Sequence, residues 1–105
     1  MIYAVGFDGT LCENKYPEIG RPNHALMNFL KDKQKRGAKI ILWTMREGTL
    51  LFDAVKWLEE WDFKPDYVND NTDELKQAFG SNPRKVFANV YIDDHNSKYD
   101  FSFKE

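Results

Sequence analysis

The sequence predicts a single α/β domain: a mostly parallel sheet covered by helices on both faces, a three-layer α/β/α sandwich. Three observations carry that expectation. Short apolar runs rich in β-branched and aromatic residues alternate with segments whose apolar residues recur at helical spacing. The runs close on Asp, Asn or Thr. The 105 residues suffice for one modest core and not for two. Strands alternating with helices pair in parallel through right-handed crossovers, as in Rossmann-like sheets, and such sheets bind ligands outside the carboxyl ends of their strands.

Residues 2–7 (Ile-Tyr-Ala-Val-Gly-Phe) form the first expected strand, closed by Asp8 and Gly9. Residues 9–21 hold Gly9, Pro17 and Gly20 among mixed polar groups, so an irregular, flap-like loop is expected. Pro22 suits the first turn of a helix in which Leu26, Phe29 and Leu30 share a face and which Gly37 ends. Residues 39–44 (Lys-Ile-Ile-Leu-Trp-Thr) read as the second strand, followed by a helix with Leu51, Ala54, Val55 and Leu58 on one side. A short third strand is expected at 66–69. Asn71, with Glu74 three residues on, suits a helix start. Leu75, Ala78 and Phe79 would form that helix's apolar stripe, and Gly80 its end. Residues 86–93 contain the fourth strand, clearest at Val90, Tyr91 and Ile92. Tyr99, Phe101 and Phe103 alternate with polar residues, so 98–105 reads as an edge strand or a tail docked on the core. No repeat, low-complexity segment or linker divides residues 1–105.

Fifteen basic and 17 acidic residues give a formal net charge of −2, with the signs interspersed. That balance offers no electrostatic case for nucleic acid or for an anionic membrane. A phosphorylated ligand is compatible with it, because a phosphate needs only a few local donors. Cys12 is the single cysteine, which excludes an internal disulfide and a multi-cysteine metal cluster. Residues 1–6 have neither a basic region nor an apolar run long enough for a signal peptide or a membrane span, so a cytoplasmic protein is the expectation.

The strand ends collect the chemistry. Strand one ends in Gly6-Phe7-Asp8-Gly9-Thr10-Leu11, strand two in Thr44-Met45-Arg46, strand three in Asn69-Asp70-Asn71 and strand four in Asp93-Asp94. The fold would bring these acids, hydroxyls and arginine to one rim. His24 and His95 have no partner at metal-binding spacing, so solvent exposure is the simpler reading. Trp57 and Trp61 read as core or rim packing, and residues 69–71 as a turn and helix cap.

This pattern resembles the haloacid-dehalogenase-like phosphohydrolases, whose first strand ends in Asp-x-Asp-Gly-Thr-Leu. Residues 6–11 match that motif everywhere except its first aspartate. Thr44 matches the second motif, a hydroxyl ending strand two. Asp93 and Asp94, after Val90-Tyr91-Ile92, match the acidic pair of the fourth. Lys85 is the candidate for the third-motif lysine, with Lys76 as the alternative. The resemblance covers nearly the whole chain.

The resemblance implies a Mg²⁺-dependent phosphatase working through an aspartyl-phosphate. A phosphoester repels an attacking carboxylate, so a divalent cation must bridge them. By the resemblance, Asp8 would protonate the leaving oxygen and then deprotonate the attacking water. Asp8, Asp93 and Asp94 would supply oxygen ligands suited to a hard cation. Thr44 and Lys85 would hold the phosphoryl oxygens, with Thr10 beside them. Arg46 would grip a second anion, or be a surface charge near a helix start. Neither connection at which this family inserts a cap domain is long here. The open site suits a large phosphorylated substrate, such as a sugar chain or a polynucleotide end, or closure by a second copy in a homo-oligomer.

Gly6 stands at the nucleophile position, and glycine can neither attack phosphorus nor ligate a cation. Two readings follow: an otherwise intact enzyme altered at one position, and a non-enzymatic phospholigand- or protein-binding module on the same scaffold. A receiver or nucleotide-binding module is a third. The absence of a glycine-rich phosphate loop counts against the nucleotide version, and Asp-Gly-Thr-Leu directly after strand one fits receivers poorly.

Overall fold

A computed structural model describes residues 1–82 and 86–93, with Phe79 described by its backbone alone. Lys85, Asp94, His95 and the 98–105 tail lie outside the described residues, and with them the expectations placed there.

Strand β1 (Ile2–Val5) is apolar throughout, and Tyr3, Ala4 and Val5 are at most 3% exposed. A strand buried on both faces belongs inside a parallel sheet. The chain continues through β2 (Cys12–Lys15), β3 (Glu18–Pro22), α1 (His24–Lys35), β4 (Lys39–Leu42), α2 (Gly48–Glu60), β5 (Tyr67–Val68), α3 (Asp73–Phe79) and β6 (Val90–Ile92). Four strands form one sheet in the order β5-β4-β1-β6, every pairing parallel. The connections from β1 to β4 and β5 run to one side, and β6 returns to the other side of β1. The order therefore reverses between β1 and β6, the position at which open α/β sheets place their ligand crevice.

Alternation along the strands divides the core. Tyr3, Val5, Ile40, Leu42, Val90 and Ile92 face a cluster with Leu26, Met27 and Leu30 of α1 and Ala54 and Leu58 of α2. Ala4 and Ile41 point the other way and meet Val86 and Ala88. Among the described residues the second face is thus covered by the 86–88 stretch. Tyr91 holds that stretch: its hydroxyl donates to Val86 O at 2.7 Å and accepts from Ala88 N at 3.0 Å. The expected apolar face of α2 is confirmed, with Leu51 and Val55 half-buried beside it.

Four local expectations are corrected. The 9–21 segment contains the antiparallel hairpin β2–β3 instead of an irregular loop. Gly20 permits it, since a Cβ there would meet Glu13 Cβ and Glu13 O at 2.7 Å. Pro22 closes β3 instead of opening α1. Asn23 caps α1, its Oδ1 accepting from Leu26 N at 3.2 Å, the usual way an Asn satisfies an orphan amide. Helix α3 is capped by Thr72, whose Oγ1 accepts from Leu75 N at 3.3 Å. Its stripe is weaker than expected: Leu75 is half-buried and Ala78 exposed. Gly37 and Gly80 end their helices at positive φ, 98° and 67°, as C-terminal glycines do.

Candidate functional site

The ladder continues past β1 into the site. Gly6 N donates to Ile92 O at 2.8 Å, and Trp43 N to Val5 O at 2.8 Å. The ends of β1, β4 and β6 thus meet around Gly6. A pocket of about 820 Å³ opens there, lined in part by Gly6, Asp8, Thr10, Thr44, Arg46 and Asp93. The ends of β1, β4 and β6 thus supply the rim expected from sequence, whereas Asn69, Asp70 and Asn71 at the end of β5 do not line the pocket; Tyr16, Trp43 and Met45, which do, are exposed.

The turn after β1 is drawn tight by Phe7 O, which accepts from the amides of Thr10, Leu11 and Cys12 at 3.1, 2.9 and 3.2 Å. It buries Thr10 to 5% exposure, and among the described residues Thr10 Oγ1 has no hydrogen-bond partner. A buried hydroxyl left unpaired is costly, and this one borders the pocket. Thr44 is oriented from both sides: its N donates to Asn69 Oδ1 at 2.8 Å, and its Oγ1 accepts from Arg46 N at 3.1 Å. Its hydroxyl proton therefore remains to be given elsewhere.

Arg46 is 3% exposed, which excludes the surface-charge alternative considered from sequence. Its Nε and Nη2 donate to the two carboxylate oxygens of Asp8, each at 2.8 Å. Nη1 donates to Pro17 O at 3.1 Å and Nη2 to Glu18 O at 3.0 Å. The Asp8 hydrogen bonds raise the guanidinium pKa further above its ordinary value. Asp8, with both oxygens accepting from Arg46, is held as a hydrogen-bond acceptor.

Lys76, the alternative lysine, lies elsewhere. Its Nζ donates to Asp70 Oδ2 at 2.6 Å, and neither residue lines the pocket. That bond holds the Asp70 carboxyl below the usual range, helped by Asn82, and raises Lys76. His24 is exposed and stacks edge-on with Trp61, centroids 4.9 Å apart. Trp57 packs edge-on against Phe7 at 5.7 Å, core packing as expected.

Among the described residues no three of His, Cys, Asp and Glu stand together as a metal site. Position 6 offers no carboxylate, and that of Asp8 faces a guanidinium, so in the pocket Asp93 is the remaining acidic side chain among them. Mg²⁺ seeks near-octahedral oxygen coordination; of the three carboxylates expected to ligate it, Asp8 is engaged by Arg46, Asp93 lines the pocket and Asp94 lies outside the described residues.

Asn23 was missed from sequence, and Asn71 was given a different role. Asn23 also donates through Nδ2 to Thr10 O at 3.0 Å, fixing the turn from behind. Buried Asn71 accepts at Oδ1 from Phe87 N at 2.7 Å, tying the β5 end to the 86–88 stretch. An Asn directly before a helical pattern was the available signal for Asn23.

The fold and pocket define an α/β domain with a parallel sheet and a pocket at its switch point. A solved structure described as that of a conserved protein coded by a locus from Bacteroides thetaiotaomicron is similar throughout: TM-score 0.81 and 36% identity, covering 96% of this chain and 83% of that one. The chain belongs to the same family as that conserved protein. No family model and no curated protein matches it.

Proposed function

We propose that this chain is a capless phosphohydrolase-type domain of the haloacid-dehalogenase kind that binds a phosphorylated ligand and does not form a phosphoenzyme. The observation that carries this reading is the pairing, in one pocket lining, of Gly6 with the buried, unpartnered hydroxyl of Thr10. Gly6 leaves nothing to attack phosphorus. Thr10 and Thr44 are donors for phosphoryl oxygens, the role preorganised hydroxyls fill at such sites. Asp8, engaged by Arg46 through both oxygens, is not placed to give a proton to a leaving group.

Titration with inorganic phosphate and an aryl phosphate, followed by amide NMR, tests this. Shifts should concentrate at residues 6–10 and 44–46, weaken in Thr10→Val and Thr44→Val, and come without hydrolysis. Shifts confined to another surface, or none at all, refute it.

A second reading is an otherwise intact Mg²⁺-dependent phosphatase altered at one position. The Thr10 hydroxyl favours it, lying 3.2 Å from where a residue-6 Cβ would stand. The Gly6→Asp variant, assayed with and without Mg²⁺, separates the two.

A further inference from the structure

The hairpin β2–β3 is a sheet of its own, not hydrogen-bonded into the main one. Its base is anchored by Cys12, buried in the core, and by Asn23 N, which donates to Leu11 O at 2.8 Å. Its tip is different: residues 14–18 are all exposed, so burial does not hold them. Yet Tyr16, in that tip, lines the pocket. The guanidinium of Arg46 reaches the tip from the end of β4. It donates to Pro17 O and Glu18 O and lies 5.1 Å from the centroids of both the Phe7 and Tyr16 rings. Its other two donated bonds go to Asp8. One buried planar cation thus joins the hairpin tip, the turn after β1 and the segment after β4.

We infer that Arg46 is a positioning residue that pins the hairpin tip to Asp8 and so sets the Tyr16 wall of the pocket. Lysine cannot replace it. A point-like ammonium has no planar fork to serve a carboxylate and two carbonyls at once, and no flat face to lie between two rings. The Glu13–Arg21 pair, 2.7 Å across the same hairpin, joins residues that lie outside the 14–18 tip.

The test measures ¹⁵N order parameters on the full chain and on Arg46→Lys, Asp8→Asn and Glu13→Gln. In the parent, residues 14–16 and 18 should match β1 and β4 at about 0.85. In Arg46→Lys they should fall below about 0.6 while β1 and β4 hold, and Asp8→Asn should loosen the same residues. Glu13→Gln should leave them ordered. Should Arg46→Lys fail to fold, Asp8→Asn decides by the same criterion. The inference is overturned by an unchanged tip in the two pin variants, by disorder spreading equally through β1 and β4, or by Glu13→Gln loosening the tip as much. No ligand enters these readouts, so the result is separate from that for phosphate binding.

Discussion

A Cβ added to Gly6 would stand 3.2 Å from Thr10 Oγ1, the buried hydroxyl that has no partner. It would also lie 3.2 Å from Asp93 Cβ. Gly6 has no positive φ, so an L side chain is compatible with its backbone once these neighbours give by a few tenths of an ångström. Gly6→Asp should therefore fold, with Tm lowered by no more than about 8 °C, near 1 kcal/mol for a domain this size. If the second reading holds, aryl-phosphate hydrolysis with Mg²⁺ should rise at least ~10³-fold, a modest figure beside typical nucleophile losses. A folded, inert variant leaves the binding module.

Thr10→Val removes the unpaired hydroxyl and keeps the shape. With no protein hydrogen bond to lose, the variant should be as stable as the parent or up to about 1 kcal/mol more stable by urea denaturation. A loss above that would show the hydroxyl to be satisfied in solution by a structural water.

Asn71→Ala should be costly. The side chain is 1% exposed, and its removal strands the Phe87 amide and the bond to Asn82 Oδ1. A loss of about 1–3 kcal/mol is expected, measured against Asn82→Ala at an exposed position. Equal, small effects would remove Asn71 from the account of the second face.

Arg21 hydrogen bonds lower the Glu13 carboxyl from an ordinary 4.5 to about 2. A depressed folded value stabilises the hairpin above the unfolded value, and that contribution is lost as pH falls from about 4.5 towards 2. The Glu13 carboxyl carbon should titrate near 2 by NMR and return towards 4.5 in Arg21→Gln. A midpoint unmoved by that substitution would dismiss the pair.

Burial pushes the Cys12 thiol up to about 11, and its Sγ–H donates to Phe7 O at 3.7 Å. At pH 8 the folded chain should resist a thiol reagent that reacts fully in denaturant, since the thiolate is the reactive form. Rapid labelling of the folded chain would mean that this corner of the core opens readily.

The candidate site could be read in part because its residues sit at strand ends: Gly6, Asp8, Thr10, Thr44 and Asp93 meet in one pocket, as the parallel order requires. The hairpin could not be read, since Cys12–Lys15 and Glu18–Pro22 lack apolar alternation and carry Gly20 and Pro22, which argue against strands. The α3 cap was displaced by one residue, from Asn71 to Thr72, and Asn23 was overlooked beside Pro22, which suits the first turn of a helix equally well.

By itself the sequence determined the parallel α/β order and the ends of α1 and α3 at Gly37 and Gly80. Apolar periodicity and terminal glycines act over a few residues, and the chain carries that information locally. Only the tertiary structure decided that Arg46 serves Asp8, a partner 38 positions away, and that Lys76 serves Asp70 instead of the pocket. It also decided that Thr10 buries a hydroxyl without a partner. A side chain's partner depends on which distant elements pack beside it and on how much water they exclude, and neither is written in the residues around it.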